Sequence, residues 1–282
     1  MNRLLVLVLV FIATVSFALG QKVSYEVYAL KFASVAFPLP VSLITLDGPE
    51  NEYVDAVFMV WLIRGDNNRN ILVDAGFMGD IEETKNYAVT NYQRPDSVLL
   101  KVGVRAEDIT DIILTHPHWD HADGVDLFPN AQVWIQKDDF DYFVVAAWQR
   151  GGNAHGFNKR DVSKVVNVNL TGKLSLIDGD DQEVIPGIRV YTGSRHTFNS
   201  QYVVVESGTD KIVIASDNAN VYYNLNHLKS VAANSTFDTE GYVNAMKRMK
   251  TLASDIKFII PGHDGLVLSR FAPIAEGVVK IK

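Results

Sequence analysis

Cysteine is absent from the 282 residues, which excludes disulfides and thiolate metal ligands. Any metal bound here must be held by imidazole or carboxylate, and stability must come from the apolar core or from that metal. Positive charge is scarce too. Lys and Arg number 26 against 33 Asp and Glu, a net charge of −7, with no basic tract. Nucleic-acid binding depends on neutralising phosphates, and attraction to anionic lipid needs a polybasic patch, so neither partner is expected. No G-x-S-x-G nucleophile turn occurs, so a serine-hydrolase elbow is excluded. Linkers, low-complexity segments and internal repeats are missing as well. The 48% hydrophobic fraction is enough for one sizeable core.

Only one long apolar run exists, at the N-terminus. Met1-Asn2-Arg3 is a positive start, Leu4 through Ala18 an apolar stretch, and Ala18-Leu19-Gly20 a small-x-small cleavage signal before Gln21. The run is short for a membrane span of about 20 residues. Residues 1–20 are therefore expected to be a cleaved signal peptide and 21–282 a single domain, periplasmic or secreted, with no stable membrane anchor after cleavage. An uncleaved anchor is the alternative reading.

Short β-type runs follow: Val23 to Leu30, Val41 to Leu46, Val57 to Ile63 and Asn70 to Val73, separated by Asp47-Gly48-Pro49 and Gly65-Asp66-Asn67-Asn68. Ser97 to Val102 and Ala106 to Ile109 read as short helical pieces. Gln132 to Gln136 reads as a strand and Lys137 to Arg150 as a helix stopped by Gly151-Gly152. Residues 153–170 read as irregular. Leu174 to Ile177 and Ile188 to Tyr191 are expected strands. Gln201 to Glu206 and Lys211 to Ala215 form an expected hairpin, Thr239 to Ala253 a helix capped by Asp238 or Thr239, and Ile256 to Ile260 a last strand. Two β-rich sections, each followed by a helix, imply two packed sheets with helices on their outer faces, one α+β sandwich of two similar halves.

The chemistry concentrates in Thr115-His116-Pro117-His118-Trp119-Asp120-His121, directly after Asp111-Ile112-Ile113-Leu114. A lone histidine is by default a surface or core residue satisfied by one hydrogen bond. Three imidazoles and a carboxylate within six residues exceed any packing role, and that donor set suits zinc. Pro117 disfavours helix at the preceding residue, so the cluster belongs on a loop at a strand end rather than on a helical H-E-x-x-H face. Asp74, His196, Asp217 and His263 likewise follow apolar strand-like runs, and such ends share one sheet edge. His196 in Ser194-Arg195-His196-Thr197 would mean little alone; its place between the cluster and Asp217 marks it. Asp74 caps a turn as readily as it braces a loop. His155 and His227, in polar irregular surroundings, are read as non-ligands.

This order, H-x-H-x-D-H, a later His, a later Asp and a final P-G-H, resembles the metallo-β-lactamase superfamily over nearly the whole chain after residue 20. The resemblance implies a four-layer αβ/βα sandwich holding two Zn2+ per chain. His116, His118 and His196 would hold one ion, Asp120, His121 and His263 the other, and Asp217 would bridge them together with a hydroxide. Asp74 would accept hydrogen bonds that brace the histidine loop. Size, exported address and Ala215-Ser216-Asp217-Asn218 look most like the N-acyl-homoserine lactone lactonases, the quorum-quenching branch, which implies a small-molecule lactone or ester substrate and leaves a homodimer open. Two departures stand out. Arg195-His196-Thr197-Phe198-Asn199 replaces the branch's G-H-T-P-G, and Asn220, with Tyr222 and Tyr223 just beyond, occupies the place of a substrate-contacting tyrosine. An asparagine amide donates a hydrogen bond but cannot give up a proton.

The implied mechanism is hydrolytic. Paired metals lower the pKa of a bridging water to about 7 and polarise the ester carbonyl, while Asp120 relays a proton to the leaving oxygen. Asp120, Asp217, Asn220 and Tyr222 are the expected catalytic residues. An acyl chain needs an apolar wall. Phe32, Val35, Phe37 and Leu39 are offered for it, as are Phe140, Tyr142, Phe143 and Trp148, although aromatic stripes normally pack inward. The Ala33 to Pro40 segment is preferred because Pro38 and Pro40 suit an overhanging loop. The rivals are weaker. The β-lactam-opening enzymes with this motif lack a carboxylate at the Asp217 position, glyoxalase II carries a helical extension for which the chain after His263 has no room, and a purely structural site would close with four ligands.

Overall fold

The computed structural model describes residues 24–66 and 69–282; the expected signal peptide and the tip of the Gly65–Asn68 turn lie outside them. The alternation of side chains along the strands determines the architecture. In Val57–Gly65, Met59, Trp61 and Ile63 point to one core cluster, while Phe58, Val60 and Leu62 point to another. Tyr25–Val35 and Asn70–Val73 divide in the same way, with Val27, Ala29, Ile71 and Val73 on one side and Tyr28, Leu30 and Leu72 on the other. A strand with apolar residues on both faces must be covered on both. One cluster accordingly lies between the two sheets, and the other lies under the helices and loops on the outer face of the first sheet.

The first sheet has nine strands. Along its main path the order is Ala272–Ala275, Val278–Lys280, Tyr25–Val35, Val57–Gly65, Asn70–Val73, Asp111–Ile113, Gln132–Gln136 and Leu174–Ile177, with Val89–Thr90 beside Tyr25–Val35. The second runs Gln182–Ile185, Ile188–Tyr191, Tyr202–Ser207, Asp210–Ser216 and Ile259–Pro261. Helix Thr239–Leu252 buries Tyr242, Ala245, Met246 and Met249 against this second sheet, and Asp238 caps it by accepting from Gly241 N at 2.9 Å. The result is the αβ/βα sandwich. Among the described residues no helix is long and apolar enough to cross a membrane.

Parallel pairing positions the site. Asn70–Val73 pairs parallel with Asp111–Ile113, and Asp210–Ser216 with Ile259–Pro261. The residues that follow these four strands therefore emerge at one edge of the sandwich.

Four expected elements differ. Ile256 to Ile260, read as the last strand, opens as the 3₁₀ turn Ile256–Phe258, is strand only from Ile259 to Pro261, and is followed by two more strands, Ala272–Ala275 and Val278–Lys280. Val41 to Leu46, read as a strand, is the helical turn Val41–Ile44. Pro40, at φ −56°, opens the turn, and Leu43 is left two-thirds exposed, so the strand-like alternation found no partner. Residues 153–170, read as irregular, contain helix Lys159–Leu170. Its valines and asparagines are weak helix formers. What holds it is Asn158 capping Arg160 N at 2.8 Å, together with Arg160 and Lys164 reaching the buried Asp123 at 2.6 and 3.1 Å. The helix from Lys137 ends at Val144, because Val145 turns out at φ −126°, ψ −72°, before a short 3₁₀ turn at Ala146–Trp148.

The edge that carries the site is held by a set of rings. Phe77, fully buried, stands 5.0 Å from Phe32, 5.1 Å from Phe58 and 4.8 Å from Trp119 between ring centroids. Phe77→Ala should lower unfolding free energy by about 3–5 kcal/mol. The midpoint shift in a urea titration at fixed metal concentration measures it; a change under 1 kcal/mol would show that the rings do not act as a packed unit.

Candidate metal centre

Asp111–Ile113 delivers Leu114 and Thr115 to the sheet edge, and Pro117 then keeps the chain extended through His118, at φ −65°, ψ 154°. Only after that does one helical turn, Trp119–Ala122, form. His116 and His118 thus approach from a loop and Asp120 and His121 from a helical turn. His196 comes from the loop after Ile188–Tyr191, Asp217 directly follows Asp210–Ser216, and His263 follows Ile259–Pro261. All seven residues expected as ligands meet.

They sort into two sets. His118 Nδ1 lies 3.1 Å from both His116 Nε2 and His196 Nε2, and Asp217 Oδ2 lies 3.3 Å from His196 Nε2 and 4.0 Å from His116 Nε2. In the second set His121 Nε2 is 3.3 Å from Asp120 Oδ2 and 3.3 Å from Asp217 Oδ1, while His263 Nε2 is 3.4 and 2.9 Å from the same two oxygens. Donors arranged tetrahedrally about 2.0–2.1 Å from one zinc ion stand about 3.4 Å apart. Both sets have that spacing, and Asp217 gives one oxygen to each. His121 Nε2 and Asp217 Oδ1 are buried without a hydrogen-bond partner, a state that is costly unless a cation meets them. The residues fit two metal ions.

The tautomers agree with this. His121 Nδ1 donates to Asp74 Oδ2 at 2.8 Å and His263 Nδ1 to the Val57 carbonyl at 2.9 Å, which leaves each Nε2 free to ligate. Electrostatics separates the imidazoles. Burial, then the charge of neighbouring imidazoles, holds His116 and His118 well below the ordinary histidine range. Burial also opposes charge on His263 and His121, but the carboxylates of Asp217 and Asp120 outweigh it, raising His263 to about 9 and His121 well above its usual value. Burial works against charge on Asp217 too, and His263 and His121 overcome it, so its carboxyl stays ionised well below the usual carboxylate range.

Asp74 settles between its two readings. Fully buried at φ 59°, it accepts from Thr115 N at 2.7 Å, from Ser216 Oγ at 2.8 Å and from His121 Nδ1 at 2.8 Å. It braces the histidine loop and ties it to the second sheet. Sequence reading did not anticipate a second brace, Asp139. This carboxyl accepts from Thr197 Oγ1 at 2.6 Å and Asn199 N at 3.1 Å, fixing the His196 loop, and burial pushes its pKa up to about 6. An Asp in the first turn of a helix carries no sequence signal for such a role. Two glycines are required by close approach. A Cβ on Gly262 would stand 2.5 Å from Asp217 Oδ1, and one on Gly156 would stand 2.6 Å from the His118 ring.

Above the metal ligands lies a cavity of about 420 Å³. His118, Asp120, His196, Asp217, His263 and Asn220 form its floor, and Val35, Phe37, Leu39, Leu43, Ile44 and Val231 its apolar wall. The Ala33 to Pro40 segment therefore overhangs as expected, although Phe32 itself is core. Phe140 and Phe143 are core as well, and Tyr142 stacks on Phe198 instead of lining the cavity. His155 belongs to neither ligand set but lies at the cavity rim. His227 stacks on Tyr223.

Asn220 reaches the floor, with Oδ1 3.3 Å from the Tyr242 hydroxyl, which donates to the Asp217 carbonyl at 2.8 Å. Tyr222 corrects the sequence reading. It is 2% exposed and packed in the core between the sheets, its ring lies 3.6 Å from the Arg270 guanidinium carbon, and it does not line the cavity. Val221, extended at φ −138°, ψ 161°, separates Asn220 from helix Tyr222–His227, and the first residue of that helix packs into the core. A larger groove of about 510 Å³, lined by Arg160, Lys164 and Lys173, lies between helix Lys159–Leu170 and the first sheet, away from every ligand.

Comparison with known proteins agrees with this geometry. The metallo-beta-lactamase superfamily matches residues 59–263. An N-acyl homoserine lactonase of Bacillus cereus is 27% identical over 177 residues, 62% of this chain and 64% of that protein; the match thus spans under two thirds of the relative's length. Two solved structures share the fold. One is a mutant AiiA of B. thuringiensis with N-decanoyl-L-homoserine bound at its active site (22% identity, TM-score 0.68, 89% of this chain and 98% of that one). The other is AidC, a dizinc quorum-quenching lactonase in complex with a product (18% identity, TM-score 0.62, 86% of this chain and 89% of that one). The span matched by the family contains every ligand from His116 to His263, and the chain belongs to the metallo-beta-lactamase superfamily.

Proposed function

We propose that this chain is a dizinc hydrolase that opens the lactone ring of N-acyl-homoserine lactones. The observation that carries the reading is the cavity itself. Two ligand sets sharing Asp217 form a polar floor, and Val35, Phe37, Leu39, Leu43, Ile44 and Val231 form an apolar wall beside it. A polar ring on a hydrocarbon tail fits that division. The known activity of the 27%-identical relatives points the same way.

Zinc in the two sites would supply Lewis acidity and water activation at neutral pH; His116, His118, His196 and Asp217 would hold one ion, and Asp120, His121, His263 and Asp217 the other. The rest is done by the protein. Asp217, kept ionised, places its two oxygens between the ligand sets. The Asp120 carboxylate, on the cavity floor, takes up the proton released as water adds to the lactone carbonyl. As the ring C–O bond breaks, Asp120 returns that proton to the departing oxygen, giving the open-chain hydroxy acid. Asn220 offers its amide N–H to a substrate oxygen, since its Oδ1 faces Tyr242. Asp74 and Asp139 keep the loops that carry His121 and His196 from drifting.

Export accompanies this reading: residues 1–20 are proposed as a leader removed on transport to the periplasm or exterior. Mass spectrometry of protein recovered from the exported fraction should find Gln21 as the first residue; Met1 retained there sinks the leader.

The activity is tested with purified protein and zinc, following acid release from acyl-homoserine lactones of several chain lengths beside a β-lactam and S-lactoylglutathione. Lactone opening is expected. Leu39→Ser should raise KM for a decanoyl substrate about tenfold more than for a butanoyl one, since the lost contact serves only the longer chain. Turnover of another substrate with none of the lactones would falsify the reading.

Asp217→Ala should cut turnover by at least about 10²-fold and leave fewer than two zinc ions per chain by elemental analysis. Full activity with two bound metals in that variant removes the shared-carboxylate role.

A further inference from the structure

Tyr87 stands where the apolar wall meets the metal-binding floor. It lines the cavity together with Asp120, Asn220, Val35 and Phe37, and it is the only tyrosine to do so among the described residues. Its backbone is fixed. Tyr87 N donates to the Glu83 carbonyl at 2.9 Å, and the next residue, Ala88, turns at φ 48° and accepts from Ala36 N at 3.0 Å. That last bond joins it to the wall segment. Its ring leans on Trp119 at 5.4 Å between centroids, and Trp119 is wedged against Phe77. Among the described residues, no side-chain hydrogen bond uses the Tyr87 hydroxyl.

A rigid phenol whose hydroxyl is uncommitted, set between a hydrocarbon-binding wall and an ester-hydrolysing floor, has one obvious partner in a molecule that spans both. In an N-acyl-homoserine lactone the group at that boundary is the amide linking tail to ring. Resting on the lactone reading, we infer that Tyr87 donates a hydrogen bond to the amide carbonyl oxygen of the substrate and so selects N-acylated lactones over lactones with a plain alkyl tail. Neighbouring groups suit a donor here. The half-buried phenol is pushed above its ordinary pKa by burial and then by the Asp120 charge, so it carries its proton at neutral pH. Asn86 and Ser235 also line the cavity, but Ser235 Oγ turns to Asn234 Oδ1 and Asn86 lacks the aromatic support that holds Tyr87.

The hydrogen bond would act in ground state and transition state alike, since the amide does not react. Tyr87→Phe keeps the ring on Trp119 and removes only the hydroxyl. With zinc-loaded enzyme, this variant should show KM for hexanoyl-homoserine lactone raised about five- to tenfold, with kcat within a factor of about two. On γ-decalactone, which has ring and tail but no amide, variant and wild type should be equal. An equal loss on both substrates, a fall confined to kcat, or no change on either overturns the assignment while leaving lactone hydrolysis intact. A wild-type enzyme that opens neither lactone overturns the lactone reading and this assignment with it.

Discussion

One buried carboxylate holds the two halves of this sandwich in register at the edge that matters. Asp74, with no solvent exposure and a left-handed backbone, accepts from Thr115 in the loop after the first sheet's Asp111–Ile113 strand, from Ser216 on the second sheet and from His121 in the ligand cluster. A buried carboxylate is tolerable only when its lone pairs are met, and here three residues meet them, Thr115 with both its amide and its hydroxyl. The consequence is geometric. Thr115 adjoins His116, and Ser216 adjoins Asp217, so one side chain sets the spacing between the first ligand set and the carboxylate it shares with the second. Preorganisation of this kind lets the site accept ions without rebuilding its loops.

Much of this was legible from residue order. The histidine cluster announced itself by density, and Asp74, His196, Asp217 and His263 by their common position after apolar runs; parallel strand pairing then delivers them to one edge. Two β-rich sections, each followed by a helix, implied the layered sandwich. Other features were hidden for physical reasons. Helix Lys159–Leu170 rests on ion pairs of Arg160 and Lys164 with the distant Asp123, contacts that no local propensity encodes, beside a local cap at Asn158. Val41–Ile44 looked like a strand by composition, yet Pro40 started a turn. Tyr222 was placed near the substrate by counting from Asp217, and as the first residue of a helix it packs into the core. Tyr87, Asp139 and Val231 reach the site from distant segments, and nothing in their neighbours along the chain marks them.

Carboxylates and imidazoles divide the labour in a way that composition alone suggests. Without cysteine, all donors are hard or borderline, and each nitrogen ligand needs a fixed tautomer to point the correct atom inward. The chain provides this from unlike sources, a carboxylate for His121 and a backbone carbonyl for His263. It also accepts two bare backbone positions, Gly156 and Gly262, to bring His118 and Asp217 close.

The earliest described strand, Tyr25–Val35, sits between Val57–Gly65 and Val278–Lys280. Part of one flank is therefore completed by residues synthesised about 250 positions later. During translation the Tyr28 to Leu30 part of that flank stays open as an edge, so a nascent chain keeps an incomplete first sheet until Val278–Lys280 has left the ribosome. Closure by that late strand makes the first sheet a structure completed only after the rest of the sandwich has been synthesised.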